Sequence, residues 1–271
     1  MQKTKMNNAR IYCLCLQDNL LEKVKKLNYL AVGLGQNEFS SEWIRDNTGE
    51  NISTKNPFYG EYSFHYWMWK NEIDNIPDNT WIGFCTYRRF WSNKKNENSK
   101  IIFEKVLNEI PNEWNEYDVI LGDRQNVEGI KWMKVLKYGK AAILKNPKAI
   151  FKKNKNLKFN FDLFHGVGIL DRAIALLDDE NKSDFEEYVN NNRSFNQVNM
   201  FISKSKTLIK NYYTTIFNWL NKCEKIFGFN LEGYSKIRIY AFLAERFMSY
   251  WFNKNAKTLE WPIIFYDLSK D

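Results

Sequence analysis

Four charged side chains stand on stretches that are otherwise apolar: Glu61, Arg88, Arg89 and Asp123. Glu61 lies among Phe58, Tyr59, Tyr62, Phe64, Tyr66, Trp67 and Trp69. Arg88 and Arg89 follow the apolar run Trp81-Ile82-Gly83-Phe84-Cys85-Thr86 and Tyr87. Aromatic rings stack on the apolar faces of sugars and bases, while charged groups bond hydroxyls and phosphates. Paired arginines suit a diphosphate, because each guanidinium stays charged and presents a fork of donors. A carboxylate inside an aromatic helix needs a partner or a ligand. Neighbours on a strand point to opposite faces, so one arginine is expected to reach a ligand. The other then orders a loop or pairs with a carboxylate such as Glu61. A pair of surface arginines is the alternative.

Other chemistries have less to build on. The chain has two histidines, His65 and His165, and no Gly-x-Ser-x-Gly elbow. Each histidine reads as structural, with a ligand contact open for His165 beside Gly166. Gly33-Leu34-Gly35 begins a dinucleotide fingerprint, but Glu38 stands where its third glycine belongs, and there is no P-loop. The four cysteines, at 13, 15, 85 and 223, form no Cys-x-x-Cys pair. They read as reduced, buried thiols rather than a zinc site.

The elements that must position these groups alternate in the first half. Ile11–Leu16, Tyr29–Gly33, Trp81–Thr86 and Asp118–Asp123 read as buried strands, with Asn199–Ile202 as a later one. A helix is expected over Phe58–Asn71, with Pro57 near its first turn. Phe159–Asp178 reads as a helix interrupted by Gly166 and Gly168, and Ser183-Asp184-Phe185-Glu186 as a capping box. A helix carrying Leu208 to Leu220 should stop at Gly228, and a last one carries Ile239 to Trp251. Arg238 and Glu245, seven apart, share a face of it away from the apolar stripe. Glu245 then serves either a site or an ion pair. Residues 126–156 show no clear period. Asp46-Asn47-Thr48-Gly49-Glu50-Asn51 is a polar turn, a ligand loop or plain surface.

Composition sets the outer limits. The chain has 271 residues, 44% of them apolar and 17% aromatic, enough for one large domain and too apolar for disorder. Its net charge is +8. That suits nucleic acid, anionic lipid or phosphorylated ligands alike, with a short basic patch at Lys152-Lys153-Asn154-Lys155. No nucleic-acid-binding signature accompanies it, so no nucleic-acid partner is expected. No targeting segment and no apolar run of membrane-spanning length is read in the sequence, so a cytoplasmic protein is expected.

The blocks Asp46-Asn47-Thr48-Gly49-Glu50-Asn51-Ile52-Ser53, Lys55-Asn56-Pro57, Glu61 and Tyr66-Trp67-Met68-Trp69-Lys70-Asn71 resemble a bacterial family catalogued as a domain of unknown function. Its members occur in capsule and O-antigen gene clusters and include a galactofuranosyltransferase. Gly83 to Phe90 is similar to that family's strand ending in His-Tyr-Arg-Arg, with Thr86 in place of the histidine. Tyr117–Leu121, His165, Asn199–Ile202 and Glu245-Arg246-Phe247 follow in the family's order.

The resemblance implies a GT-A-like α/β glycosyltransferase with a mixed central sheet flanked by helices and a helix-rich C-terminal half. The whole chain, 1–271, is expected to form one such domain. Residues of about 8–125 bind the nucleotide sugar, and residues of about 126–271 form the acceptor side. Donor contacts are expected at Asp46, Asn51, Glu61, Lys70, Tyr87, Arg88, Arg89 and Asn199, and acceptor contacts at His165, Arg238 and Arg246. Asp123 and Glu245 are the candidate bases. No cofactor is expected: many GT-A enzymes hold a metal with Asp-x-Asp at the end of the central strand, where this chain has Tyr87-Arg88-Arg89. The partners implied are a nucleoside-diphosphate sugar and a glycan or lipid-linked acceptor, with peripheral contact at the inner face of a membrane. A binding protein of the same fold without catalysis remains the alternative, and a basic nucleic-acid-binding protein the remoter one.

Overall fold

The computed structural model describes residues 8–127, 144 and 155–270. Lys152, Lys153 and Asn154 of the basic patch lie outside the described residues, as does most of the 126–156 stretch.

Eleven described strands run β1 Ala9–Cys15, β2 Leu30–Gly33, β3 Ile44–Arg45, β4 Trp81–Thr86, β5 Arg89–Trp91, β6 Val119–Gly122, β7 Arg124–Asn126, β8 Ser194–Asn196, β9 Phe201–Ser203, β10 Thr258–Trp261 and β11 Ile263–Phe265. Nine form one mixed sheet in the order β10-β6-β9-β4-β1-β2-β3, with β5 on β4 and β11 on β5; β7 and β8 pair separately. β1 is parallel to both β2 and β4, while β9 runs antiparallel between β4 and β6. The fold is thus mixed α/β with helices on the sheet.

Alternation along the strands separates two cores. Tyr12, Leu14, Ile82, Phe84, Val119 and Leu121 face the helices of the second half, chiefly Lys206–Phe227 and Ile239–Asn255. Ile11, Cys13, Cys15, Trp81, Cys85 and Ile120 face the other way, toward Leu21–Lys26, Trp114 and Trp261. All four cysteines are buried and free. Burial holds the Cys15 and Cys85 thiols well above their ordinary pKa. Among the described residues no helix is long and apolar enough to cross a membrane.

Three expected elements are corrected. The Phe58–Asn71 helix is broken: Asn56–Tyr59 ends at Gly60, Tyr62–Trp67 restarts, and Met68–Glu72 continues as a π-helix. Gly60 has φ 56°, which ends the first helix. The helix expected to start at Ser183 starts earlier, as Asp179–Asn191, because Asp178 caps it by accepting the Asn181 N–H at 3.1 Å. Gly166 and Gly168 interrupt the 159–178 segment as expected, but its bounds shift: the two helices are Leu157–His165 and Ile169–Ile174, and neither reaches Asp178.

Candidate functional site

The carboxyl ends of β1, β2 and β4 share one edge of the sheet with the start of antiparallel β9. The chain passes from β1 outward to β2 and β3, then returns to the other side of β1 as β4. Such a switch point leaves a crevice beyond the strand ends. A cavity of about 360 Å³ lies there. It is lined by Leu14 and Leu16 of the β1 end, Leu34 beyond β2, Thr86–Arg89 beyond β4 and Gln197–Asn199 before β9. Asn56, Pro57, Gly60 and Glu61 form another wall, and Arg238, Ala241, Phe242 and Glu245 face them.

That last wall is one face of the final helix, whose N-cap is Arg238. Arg238 Nη2 donates to Glu61 Oε2 across the cavity at 3.2 Å. Gly60 makes room for it: a Cβ there would fall 2.3 Å from Arg238 Nη2. The break that carries Glu61 is pinned by Asn56, whose amide donates to the Gly60 carbonyl and to Ser63 Oγ, each at 2.9 Å.

Both arginines of the Tyr87-Arg88-Arg89 segment line the cavity. The expectation of opposite faces fails because the chain turns at Tyr87-Arg88, pairing Thr86 with Arg89 as a tight hairpin into β5. Arg88 lies over the Tyr87 ring at 5.0 Å and Arg89 over Phe265 at 5.3 Å. Neither is ion-paired with a described carboxylate. The turn is fixed from behind: Tyr266 and Leu268 donate backbone N–H groups to the carbonyls of Arg88 and Tyr87, both at 3.1 Å.

Glu245 has both oxygens engaged. Oε1 accepts the Val198 N–H at 2.6 Å and Oε2 accepts from Arg246 at 2.6 Å. Arg246 is buried, donates to Asn160 Oδ1 at 3.1 Å and packs over Phe195 at 4.6 Å. Val198 and Asn199 have φ of 74° and 50°. Under this turn His65 bonds the Tyr213 hydroxyl through Nδ1 at 2.8 Å. Burial pushes its pKa down to about 3, against a smaller upward effect of the Asn199 backbone.

Of the residues expected at the site, Glu61, Tyr87, Arg88, Arg89, Asn199, Arg238 and Glu245 line this one cavity. The others do not. Asp46 is fully buried behind the wall, accepting from the Gly35 N–H at 2.8 Å and Ser63 Oγ at 2.6 Å. Burial raises its pKa, opposed by those two bonds. Asn51 folds onto its own loop, bonding Gly49 and Ser53. Lys70 sits 4.0 Å over the Trp69 ring. Asp123 lies beyond β6 with its surface largely open to solvent, and partial desolvation of its carboxyl, then the Glu260 charge, raise its pKa. His165 lies behind Phe242, with ring centres 4.1 Å apart, and Arg246 lies behind Glu245. Sequence reasoning missed Gln197, Val198 and Phe242. The first two carry no signal, while Phe242 sits in the helical stripe that reads as core.

The cavity's carboxylates, Glu61 and Glu245, are each held by an arginine. Among the described residues no three His, Cys, Asp or Glu side chains gather as a metal-binding group. The fold is similar to a solved structure titled as the apo form of WbbM, a bifunctional glycosyltransferase, with a TM-score of 0.64 and 21% identity. The match covers 96% of this chain and 45% of that one, so the chain spans less than half of WbbM. No curated protein matches the chain. The family model for DUF4422, a domain of unknown function, matches residues 10–256, and the chain belongs to that family.

Proposed function

We propose that the protein is a glycosyltransferase that moves a hexose, galactofuranose being the first candidate, from a nucleoside-diphosphate donor such as a UDP-sugar to a growing capsule or O-antigen type glycan. One observation carries this reading: Arg88 and Arg89 both line a cavity at the strand ends, and neither is ion-paired with a described carboxylate. Two guanidinium groups in that position suit a diphosphate, and they suit the extra charge that develops as it leaves. The likeness of fold to WbbM supports the reading at the level of architecture.

In this reading the arginines take the part that a metal takes in many GT-A enzymes, so transfer needs no divalent cation. Glu61 and Arg238 line the same cavity as the arginines and bind donor or acceptor hydroxyls. A lipid-linked acceptor would bring the protein to the inner face of a membrane, where the net charge of +8 favours anionic headgroups.

The test is a panel of UDP-, GDP- and CMP-sugars, read by release of free nucleotide and by thermal shift. Release of a nucleoside diphosphate from one donor, faster with a glycan acceptor, is expected. Selective nucleotide binding without turnover would identify a non-catalytic binder. No nucleotide response, with salt-sensitive binding of a single-stranded oligonucleotide, would overturn both.

A further inference from the structure

The Gln197–Asn199 wall of the cavity is built from backbone that its residues disfavour. Val198 has φ 74° and Asn199 φ 50°. Asparagine tolerates the left-handed region, but a β-branched valine there is an outlier. Such a conformation persists where its surroundings over-determine it.

The surroundings here are named groups. Glu245 Oε1 takes the Val198 N–H at 2.6 Å, at the residue with the unfavourable φ. Arg246 holds the other carboxylate oxygen at 2.6 Å. Arg246 is itself fixed by Asn160 Oδ1 at 3.1 Å and by the Phe195 ring. Asn199 is tied to the same helix by a 3.4 Å bond to the Ala241 carbonyl. Each Glu245 oxygen therefore already serves one of these bonds, and taking up a proton there would loosen its hold on the Val198 N–H or on Arg246. Glu61 differs: Arg238 holds its Oε2, and its Oε1 accepts no hydrogen bond among the described residues.

We infer that Glu245 is a positioning residue that clamps the left-handed Val198-Asn199 turn into the cavity wall, and that Glu61 is the carboxylate that meets the substrate. This rests on the glycosyltransferase reading for its second half only. A base works best with an oxygen that is not holding the cavity wall together, and Glu61 Oε1 is such an oxygen.

A double-mutant cycle on Glu245→Gln and Val198→Gly tests it. Glycine adopts φ 74° without help, so the clamp matters less once Val198 is gone. Melting temperature reads the clamp whether or not the protein is an enzyme. Glu245→Gln is expected to lower it by several degrees more in the native background than with Val198→Gly. The residual loss, common to both, reports Arg246 left without its carboxylate. Additive effects on melting temperature would overturn the clamp.

Turnover reads the second half. Glu245→Gln is expected to reduce it about 10-fold or more, and by less than about 3-fold beside Val198→Gly. Glu61→Gln is expected to abolish it in either background while leaving melting unchanged. An equal loss from Glu245→Gln in both backgrounds would make Glu245 the base and overturn the assignment. If no donor turns over at all, the glycosyltransferase reading fails and the melting cycle still decides the clamp.

Discussion

Asn71 brackets the backbone of Glu50: its side-chain oxygen accepts the Glu50 N–H at 3.1 Å, and its amide donates to the Glu50 carbonyl at 2.9 Å. Gly49 precedes this clasp with φ 55°, and a Cβ on it would fall 2.2 Å from Asn71 Oδ1. Thr48 accepts from the Trp67 indole at 2.9 Å, and Glu50 from the Tyr66 hydroxyl at 2.7 Å. The loop and the aromatic segment recognise each other. The polar 46–51 loop is therefore a fastener rather than part of the cavity lining.

Asn71→Ala should accordingly cost stability of about 1–2 kcal/mol, or several degrees of melting temperature, because two backbone bonds go at once. Nucleotide-sugar turnover per folded molecule should stay within about 2-fold of the native protein. A large loss of turnover with unchanged melting would place the loop in the donor site after all.

Gly60→Ala attacks the site through its backbone. The new methyl meets Arg238 Nη2 at 2.3 Å and sits at a positive φ, so the Glu61–Arg238 pair must part. The expected result is a loss of at least 10-fold in kcat/KM. Pairing it with Arg238→Ala checks the cause. The two losses should not add, because both remove one contact.

Losing either Arg88 or Arg89 to alanine should cost about 100-fold in turnover, the scale of other contacts to charge that develops in a transition state. Melting should barely move, since neither is ion-paired with a described carboxylate. Lysine should restore part of the loss, as it keeps the charge and loses the fork.

The same reading makes transfer indifferent to chelation. Full turnover is expected in excess EDTA, with no gain from added manganese. Loss in EDTA and recovery with manganese would assign the leaving group to a cation instead of the two arginines.

His65 gives the pH dependence of stability a direction. Its imidazole drops from 6.5 to about 3 on burial, so the unfolded chain binds the proton first. Stability is full above about pH 6.5 and is lost as pH falls toward 3, by about 1 kcal/mol per unit. Denaturant unfolding between pH 4 and 7 should show a shallower slope in His65→Gln than in the native protein. Equal slopes would mean that this imidazole does not shift on folding.

Parts of this architecture are legible in residue order, and the physics says which. β4 spans the same six residues as the apolar run at Trp81–Thr86, because a strand buried on both faces must be apolar throughout. The helix Lys206–Phe227 stops at Gly228, whose φ is 61°. Strands of two or three residues, such as β3, β5, β7 and β8, are too short to show a period. β10 and β11 were missed because their places depend on distant β6 and β5. Arg238 and Glu245 were legible as one polar face of an apolar helix, and Arg88 and Arg89 as charges after a buried strand. Asp123 also follows a buried strand, but β6 stands two places from β4, and its end misses the cavity. The left-handed Val198 could not be foreseen, since valine argues against it.

The Tyr266 and Leu268 amides that hold the Tyr87-Arg88 carbonyls have a consequence in the order of synthesis. β1, β2 and β4 leave the ribosome early, with the arginine turn attached, yet β11 and the two amides emerge only after the whole helical half. The turn can take its final shape only when that distant stretch folds back over β5. A nascent chain halted before residue 266 would carry its arginines on an untethered hairpin, so the finished shape of the arginine turn arrives late in translation rather than with the half of the chain that bears the charges.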